Sequence, residues 1–511
     1  MPSQPDILFI VLDTLRRDHL SSYGYHQETS PVLDEFSLDA TRFDRAISPA
    51  QWTIPAHGSL FTGQYPGKHG LTQAYHQLSG TYPTLAELLQ VADYHTVAFC
   101  NNPMLGILET GLRRGFEEFF NYTGATPHRP VDLQRSALRR RVDTQSRKVA
   151  RYLTNRFAHS DFLFRMSMFP LFVPFWSKAM NFKGNTPRSI DDMIDYREQY
   201  YADGADKPLF MFANLMGAHM PYHPPDNYLP AELRRDKQAM RFMNHHNLDA
   251  TGWLSPTDDP LEDWQQHTLH SFYDAEIRHQ DEQLGRLLNH VKASGKLDNT
   301  IVVIAADHGE GHGDHQFMGH SFVVYQELVH VPLFIRYPER FPSGKTIQKN
   351  VSTRRVFHTI LDVADIPAPP VADGEHSIAD LSLIRSLNGK PDTEGNSAFA
   401  EAFPPDNLLS VLRHKDPTMI ERMNLTSVRR GVYQDNHKLA MVGQQVEGMY
   451  DIASDPAELT NIAASHDDVV ETLQGKVHDF VREHSGTSTS RQNEKLSDEV
   501  MENLRALGYI D

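Results

Sequence analysis

Short apolar runs, each closed by a polar residue, recur along this chain. DILFIVL (6–12) is rich in β-formers and stops at Asp13, which predicts a buried parallel strand with a carboxylate at its C-terminal end. TLAELLQVA (84–92) has a helical pattern, and HTVAFC (95–100) reads as the next strand, stopped by Asn101-Asn102-Pro103. PLFMFANL (208–215) repeats the strand pattern and runs into MGAHMPYH. YDAEIRHQDEQLGRLLNHVKASG (273–295) predicts a long helix leading to NTIVVIAADHGEGHGDH (299–315), and VPLFIRYP (331–338) is one more strand. Strands alternating with helices predict an α/β fold with a large, mainly parallel sheet flanked by helices.

The pattern changes near residue 365. IPAPPVADGEH (366–376) and LNGKPDTEGN (387–396) read as a surface connection over 366–396. Beyond it, LTSVRRGVYQDNHKLAMVG (425–443) and EGMYDIASDPAELTNIA (447–463) alternate apolar and polar residues between turn signals. They predict a small antiparallel sheet, with the amphipathic stretch 467–484 as a helix over one face. The expected division is therefore a large domain over 1–365, the connection, and a small sheet-plus-helix domain over 397–511. Residues 125–205 interrupt the α/β rhythm. One half carries Arg135, Arg139, Arg140, Arg141, Arg147, Lys148 and Arg151, and the other the aromatic, proline-broken DFLFRMSMFPLFVPFW (161–176). An insertion packed on the core is the expected reading; a lid touching a membrane through 161–176 is the alternative.

Composition narrows the partners. With 40% hydrophobic and 23% charged residues among 511, the chain has the make-up of a soluble globular protein. A formal charge of −17 argues against a general nucleic-acid-binding role. A single cysteine, Cys100, excludes an intramolecular disulfide. The start has no basic leader, and no run offers the ~20 apolar residues of a spanning helix, so a cytoplasmic location is expected. The sequence does not speak to oligomeric state.

Polar groups collect where the predicted strands end: Asp13, Asn101, His219, Asp307 and His308. In open α/β sheets ligands bind outside the carboxyl ends of the strands. Asp307 and His308 can converge with Asp13 on one divalent cation, or can serve as turn and capping residues. In WTIPAHGSLFTG, Thr53 precedes a helix start, where backbone N–H groups attract an anionic oxygen. Thr53 either caps that helix or completes a four-ligand site with Asp13, Asp307 and His308; a bound cation would then stabilise its alkoxide.

The ordered set VLDTLRRDHLSSYGY, TIPAHGSLFTGQYPGKHG, NLMGAHMPYHPP, ADHGEGHGDH, GHSFVVYQELVHVPLFIRYP, GMYDIASDPAELTNIA and LRALGYID resembles the sulfatase family of the alkaline phosphatase superfamily. The resemblance runs from residue 6 to the C-terminus, apart from 125–205. It implies a metal-dependent ester hydrolase with an alkaline phosphatase-like catalytic domain and a small C-terminal sheet domain. Two departures modify that expectation. Family sulfatases oxidise Cys or Ser in a Cys-x-Pro-x-Arg motif to formylglycine, whereas this chain reads Thr53-Ile54-Pro55-Ala56-His57. Threonine would give a ketone, so no formylglycine is expected. Thr14 also follows Asp13 where the family has a second acid. One carboxylate fewer and one imidazole more favours Mn²⁺ or Zn²⁺ over Ca²⁺.

By the same resemblance, His219 in GAHMPY corresponds to a histidine that contacts substrate and assists the leaving group. His320 stands where many sulfatases have a lysine on the ester oxygens, His57 replaces the motif arginine, and Asn102 stands near a family Lys-x-His pair. The departures look like the superfamily's phosphodiesterases and phospho-group transferases, in which threonine is the nucleophile. The expected function is hydrolysis of a phosphoric or phosphonic ester of a small molecule, glycan or lipid, through Thr53 and a covalent phospho-threonine. The alternatives are a sulfatase without formylglycine, a phospho-group transferase, and a non-catalytic metal- or ligand-binding protein.

Overall fold

The computed structural model describes residues 4–106, 108–122, 183–247, 256–257, 259–367, 378–387 and 393–484. The basic run 135–151, the aromatic run 161–176 and the terminal LRALGYID lie outside the described residues, and with them the lid expectation. In chain order the strands are β1 (Asp6–Leu12), β2 (Thr41–Ile47), β3 (His95–Cys100), β4 (Glu118–Asn121), β5 (Leu209–Leu215), β6 (Thr300–Ala305), β7 (Gly311–His312) and β8 (Met318–Gly319). They continue with β9 (His330–Val331), β10 (Leu333–Arg336), β11 (Thr346–Ser352), β12 (Ser397–Ala402), β13 (Arg429–Gln434), β14 (His437–Val442) and β15 (Gln445–Asp451).

Eight strands form one sheet in the order β11-β2-β10-β6-β1-β5-β3-β4, with β9 added alongside β2. β1 pairs parallel with β5 and β6, β3 pairs parallel with β4 and β5, and β11 pairs parallel with β2. Only β9 and β10 run the other way. The fold is the α/β architecture expected, a mainly parallel sheet flanked by helices.

Why β1 is apolar throughout follows from its two covered faces. Ile7, Phe9 and Val11 join a core with Ile54, Leu60 and Phe61 of the helix Thr53–Thr62. Leu8, Ile10 and Leu12 point the other way, into a core with Leu284, Leu287 and Val291 of the helix Asp263–Ala293. A strand buried on both sides has no face left to be polar.

The helix expected over 273–295 begins ten residues earlier, at Asp263. Gln265 Oε1 accepts the Glu262 backbone N–H at 2.8 Å and fixes this start, a local signal that apolar periodicity does not register. Within 125–205, residues Thr186–Ala202 form a regular helix packed on the long one, so the α/β rhythm resumes there. Asn185 caps it by accepting the Arg188 N–H at 2.9 Å. The segment read as a connection also holds two short helices, Ile378–Leu381 and Ile384–Leu387.

Strands β12 to β15 form the separate antiparallel sheet in sequential order. The helix Asp467–His484 lays Leu473 and Val477 on Val432, Leu439, Met441 and Met449 of one face. The other face packs Ala398, Ala400 and Tyr433 against Ile47, Phe322, Val324 and Leu328. Among the described residues no helix is long and apolar enough to cross a membrane.

Candidate active site

Because β1, β2, β3, β5 and β6 run in the same direction, the segments that follow them leave the sheet at one edge. Asp13 is the first residue past β1, and its N–H still donates to Leu215 O at 2.9 Å. Thr14 then turns the chain with φ +57°, a left-handed conformation unusual for a side chain branched at Cβ. The turn aims the Thr14 N–H at Asp307 Oδ1 (3.3 Å), which also accepts the His308 N–H at 3.0 Å. Two strand ends are thereby joined through one carboxylate oxygen.

The other oxygens are left over. Asp13 Oδ2 accepts from Asn102 Nδ2 at 2.7 Å and from Asn214 Nδ2 at 3.1 Å, while Asp13 Oδ1 and Asp307 Oδ2 are buried without a hydrogen-bond partner. His308 donates Nδ1–H to Gly309 O at 2.9 Å, which bares Nε2. That nitrogen lies 3.4 Å from Asp307 Oδ2 and 4.0 Å from Asp13 Oδ1, and one ligand atom of each of the three residues falls within 4.8 Å of the others. Two orphaned carboxylate oxygens and a bare imidazole nitrogen fit a divalent cation.

Electrostatics agree with that fit. Burial, reinforced by the negative charge of Asp13, pushes the Asp307 carboxyl well above the usual range. Burial also pulls His308 well below the ordinary imidazole value, so its lone pair stays available. Against the upward push of burial, Asp13 is held low, and the Asn214 and Asn102 amides that donate to it favour its ionised form. A carboxyl forced toward its protonated form beside a charged one is a place where a cation removes the conflict.

Thr53 opens the fully buried helix Thr53–Thr62. Its N-cap is Trp52, with no side-chain capping bond, so the Thr53 hydroxyl is not spent on the helix. Oγ1 lies 3.3 Å from His308 Nε2 and accepts from Asn102 Nδ2 at 3.3 Å. Asn102 thus bridges Asp13 and Thr53, and its own Oδ1 accepts the Met104 N–H at 2.8 Å. Both ends of its amide are thus engaged by the protein.

His57 is likewise engaged by the protein. It has no exposed surface; Nδ1 donates to Thr53 O at 2.9 Å and lies 3.5 Å from Asp307 Oδ2, while Nε2 faces Asn214 Nδ2 at 3.4 Å. Burial lowers it to about 4, so it stands neutral beside Thr53 and Asp307. His219 and His320 meet edge to face, 5.2 Å between ring centroids, and His320 lies 4.5 Å from His308. Glu310 Oε1 accepts from His320 Nδ1 at 2.7 Å and, against burial, raises that imidazole; burial lowers His219, whose Nδ1 donates to Met220 O.

Asn214 and Glu310 were not among the residues expected. Asn214 is the one amide inside the apolar run of β5, and that interruption is its signal. Glu310 meets His320 only because β7 and β8 pair with Gly311 opposite Gly319, which sets the two residues across from each other.

A family model described as Sulfatase matches residues 5–366. The N-acetylglucosamine-6-O-sulfatase of Bacteroides thetaiotaomicron is 23% identical over 505 residues, covering 90% of this chain and 82% of its own. The phosphonate monoester hydrolase of Agrobacterium radiobacter superposes with a TM-score of 0.65 at 22% identity, over 94% of this chain and 96% of that one. A protein solved with its substrate D-glucosamine-2-N,6-O-disulfate superposes with a TM-score of 0.65 at 18% identity, over 96% of this chain and 100% of that one.

Proposed function

We propose, from the premise that this chain belongs to the sulfatase family, that it is an ester hydrolase acting on singly charged phosphorus esters, phosphodiesters or phosphonate monoesters, with Thr53 as nucleophile. The observation that carries the reading is the Thr53 hydroxyl, released from capping and aimed at His308 Nε2 amid Asp13, Asp307 and Asn102. Asp13, Asp307 and His308 would hold the divalent metal, Mn²⁺ or Zn²⁺. Such an ion supplies Lewis-acid charge that favours the ionised hydroxyl and offsets the charge of the ester.

The chain's own residues account for the rest. Thr53 Oγ1, its proton lost to solvent, forms the bond to phosphorus as the bond to the leaving oxygen breaks. Asn102 holds Thr53 and Asp13 in register for that attack. The His219–His320 pair lines the departure side, and Glu310 keeps the proton on His320, so the donor role expected of His219 moves one ring over. Water then cleaves the phospho-threonine and restores the hydroxyl. Beyond the charge that the ion and His320 would bring, the described side chains that meet Thr53 Oγ1 are an imidazole and an amide and add no fixed cation, which favours an ester of one charge over a doubly charged monoester.

A sulfate monoester carries the same single charge, and the matches above that are named for, or solved with, a glucosamine sulfate favour it as the second reading. Metal-reconstituted protein tested against nitrophenyl esters of phosphate, a phosphodiester, a phosphonate and sulfate separates the two. The expected outcome is preference for a singly charged phosphorus ester, with Thr53→Ala lowering kcat on the order of 10⁴-fold or more while metal content is retained. A sulfate preference, or turnover unchanged by Thr53→Ala, overturns the reading.

A further inference from the structure

A second group of imidazoles lies beside this site and takes no part in the chemistry above. His19 ends the helical turn Arg17–His19, His270 stands on the helix Asp263–Ala293, and His312 is the second residue of β7. One ring nitrogen of each lies within 4.8 Å of the others. Ring centroids are 4.9 Å apart for His19 and His270, 5.4 Å for His270 and His312, and 6.1 Å for His19 and His312.

Packing alone accounts poorly for how the rings are wired. Asp274 Oδ1 accepts from His19 Nδ1 at 2.7 Å and Tyr25 OH holds the other carboxylate oxygen at 2.8 Å, so His19 is fixed with Nε2 bare. His312 Nε2 pairs with Tyr222 OH at 2.9 Å, and its Nδ1 is buried without a hydrogen-bond partner. His270 Nε2 meets the Gln266 amide at 2.7 Å; turned so that its oxygen accepts, that amide bares Nδ1. A carboxylate orienting one imidazole, and an orphaned nitrogen on another, are the usual supports of histidine metal ligands.

We propose that His19, His270 and His312 form a second metal site that takes Zn²⁺, or another imidazole-seeking first-row dication, with its remaining position open on the half-buried His270 side. Zinc–nitrogen bonds of about 2.0–2.1 Å set tetrahedral ligand nitrogens roughly 3.3–3.4 Å apart, within the 4.8 Å that bounds the three here. The nearby Arg16 does not oppose a cation, because Asp18 and Asp314 each pair with it at 2.8 Å and Asp274 remains as negative charge at the ligands.

The position gives the ion a task. His19 follows Asp13 and Thr14 on one loop, and His312 follows Asp307 and His308 on another. His270 sits one turn before Tyr273, whose OH accepts the Arg16 N–H at 2.7 Å and donates to Thr14 O at 2.8 Å. An ion here ties both loops that carry the first site's ligands to the helix Asp263–Ala293.

The test is zinc stoichiometry of the full chain, stripped with chelator and dialysed against Zn²⁺ alone, for wild type, His270→Ala, His19→Gln, Asp307→Asn and Asp307→Asn with His270→Ala. Two equivalents are expected for wild type, one for each single variant and none for the double variant. X-ray absorption of zinc-loaded Asp307→Asn should show imidazole nitrogens at about 2.0–2.1 Å. His270 is partly exposed, so its variant decides the matter even where His19→Gln fails to fold, as circular dichroism would reveal. Two equivalents retained by folded His270→Ala overturn the proposal, as does an Asp307→Asn protein that binds none. One equivalent in wild type that survives Asp307→Asn but not His270→Ala would instead overturn the first site and leave this one standing.

Discussion

At the scale of single residues, Asn102 is where the candidate site is most exposed to test. Its Nδ2 reaches both Asp13 and Thr53, so Asn102→Ala removes a hydrogen bond to a charged carboxylate and frees the hydroxyl together. The expected cost is about 1.5–3 kcal/mol in transition-state binding, roughly 10- to 160-fold in kcat/KM. An unchanged kcat/KM would contradict it. His69 carries a second prediction, on stability. Burial lowers it to about 3 from an ordinary 6.5, so between those values the unfolded chain takes up a proton that the folded chain refuses. Stability contributed by neutral His69 is therefore complete above pH 6.5 and falls as the pH drops toward 3. Thermal midpoints followed from neutral to acid pH should decline, and more gently in His69→Asn. Asp13, Thr53, Asp307 and His308 were legible in the sequence because each borders an apolar run or a helix start. Asn214 and Glu310 were not, because one sits inside a run read for apolarity and the other acquires its partner only through hairpin register.

At the scale of elements, the loop after β6 is held by backbone packing. Gly309 N–H donates to Leu328 O at 2.7 Å, and a Cβ at Gly309 would stand 1.9 Å from Glu327 O. That neighbour is backbone and cannot swing aside. Gly309→Ala should cost about 1–3 kcal/mol of stability through overpacking, and it should weaken metal binding because Gly309 O orients His308. Calorimetric melting and a zinc titration check the two effects, and full metal affinity in the variant would show that His308 is oriented otherwise. The parallel strands were legible because two-sided burial leaves uninterrupted apolar runs. Helix boundaries were not. Asp263–Ala293 begins in the polar segment DWQQHTLHS, which carries little apolar period, and Thr186–Ala202 hid inside a stretch judged by its unusual neighbours.

At the scale of the whole molecule, the small sheet meets the α/β layer through a buried ion pair. Lys438 Nζ lies 2.5 Å from Glu458 Oε1 and donates to Val324 O at 2.6 Å, while Glu458 Oε2 accepts the Gln326 N–H at 2.8 Å. Neither side chain is exposed. Glu458→Ala strands the ammonium and should cost about 3–5 kcal/mol, whereas adding Lys438→Met should recover part of that loss. Equal midpoints for the single and double variants in urea would rule out the pair as the cause. The same sheet reaches the nucleophile's loop: Glu401 N–H donates to Pro49 O at 2.9 Å, and Gln51 Nε2 donates to Ser321 O at 2.8 Å and to Phe403 O at 3.3 Å. Thr53 is thus braced by chain made some 350 residues after it. During synthesis the ligand-bearing strands can assemble while that brace is still unborn. The enzyme should stay silent on the ribosome until its small sheet has emerged and closed against the loop, so that a later-made part of the fold switches on an earlier-made part of the site.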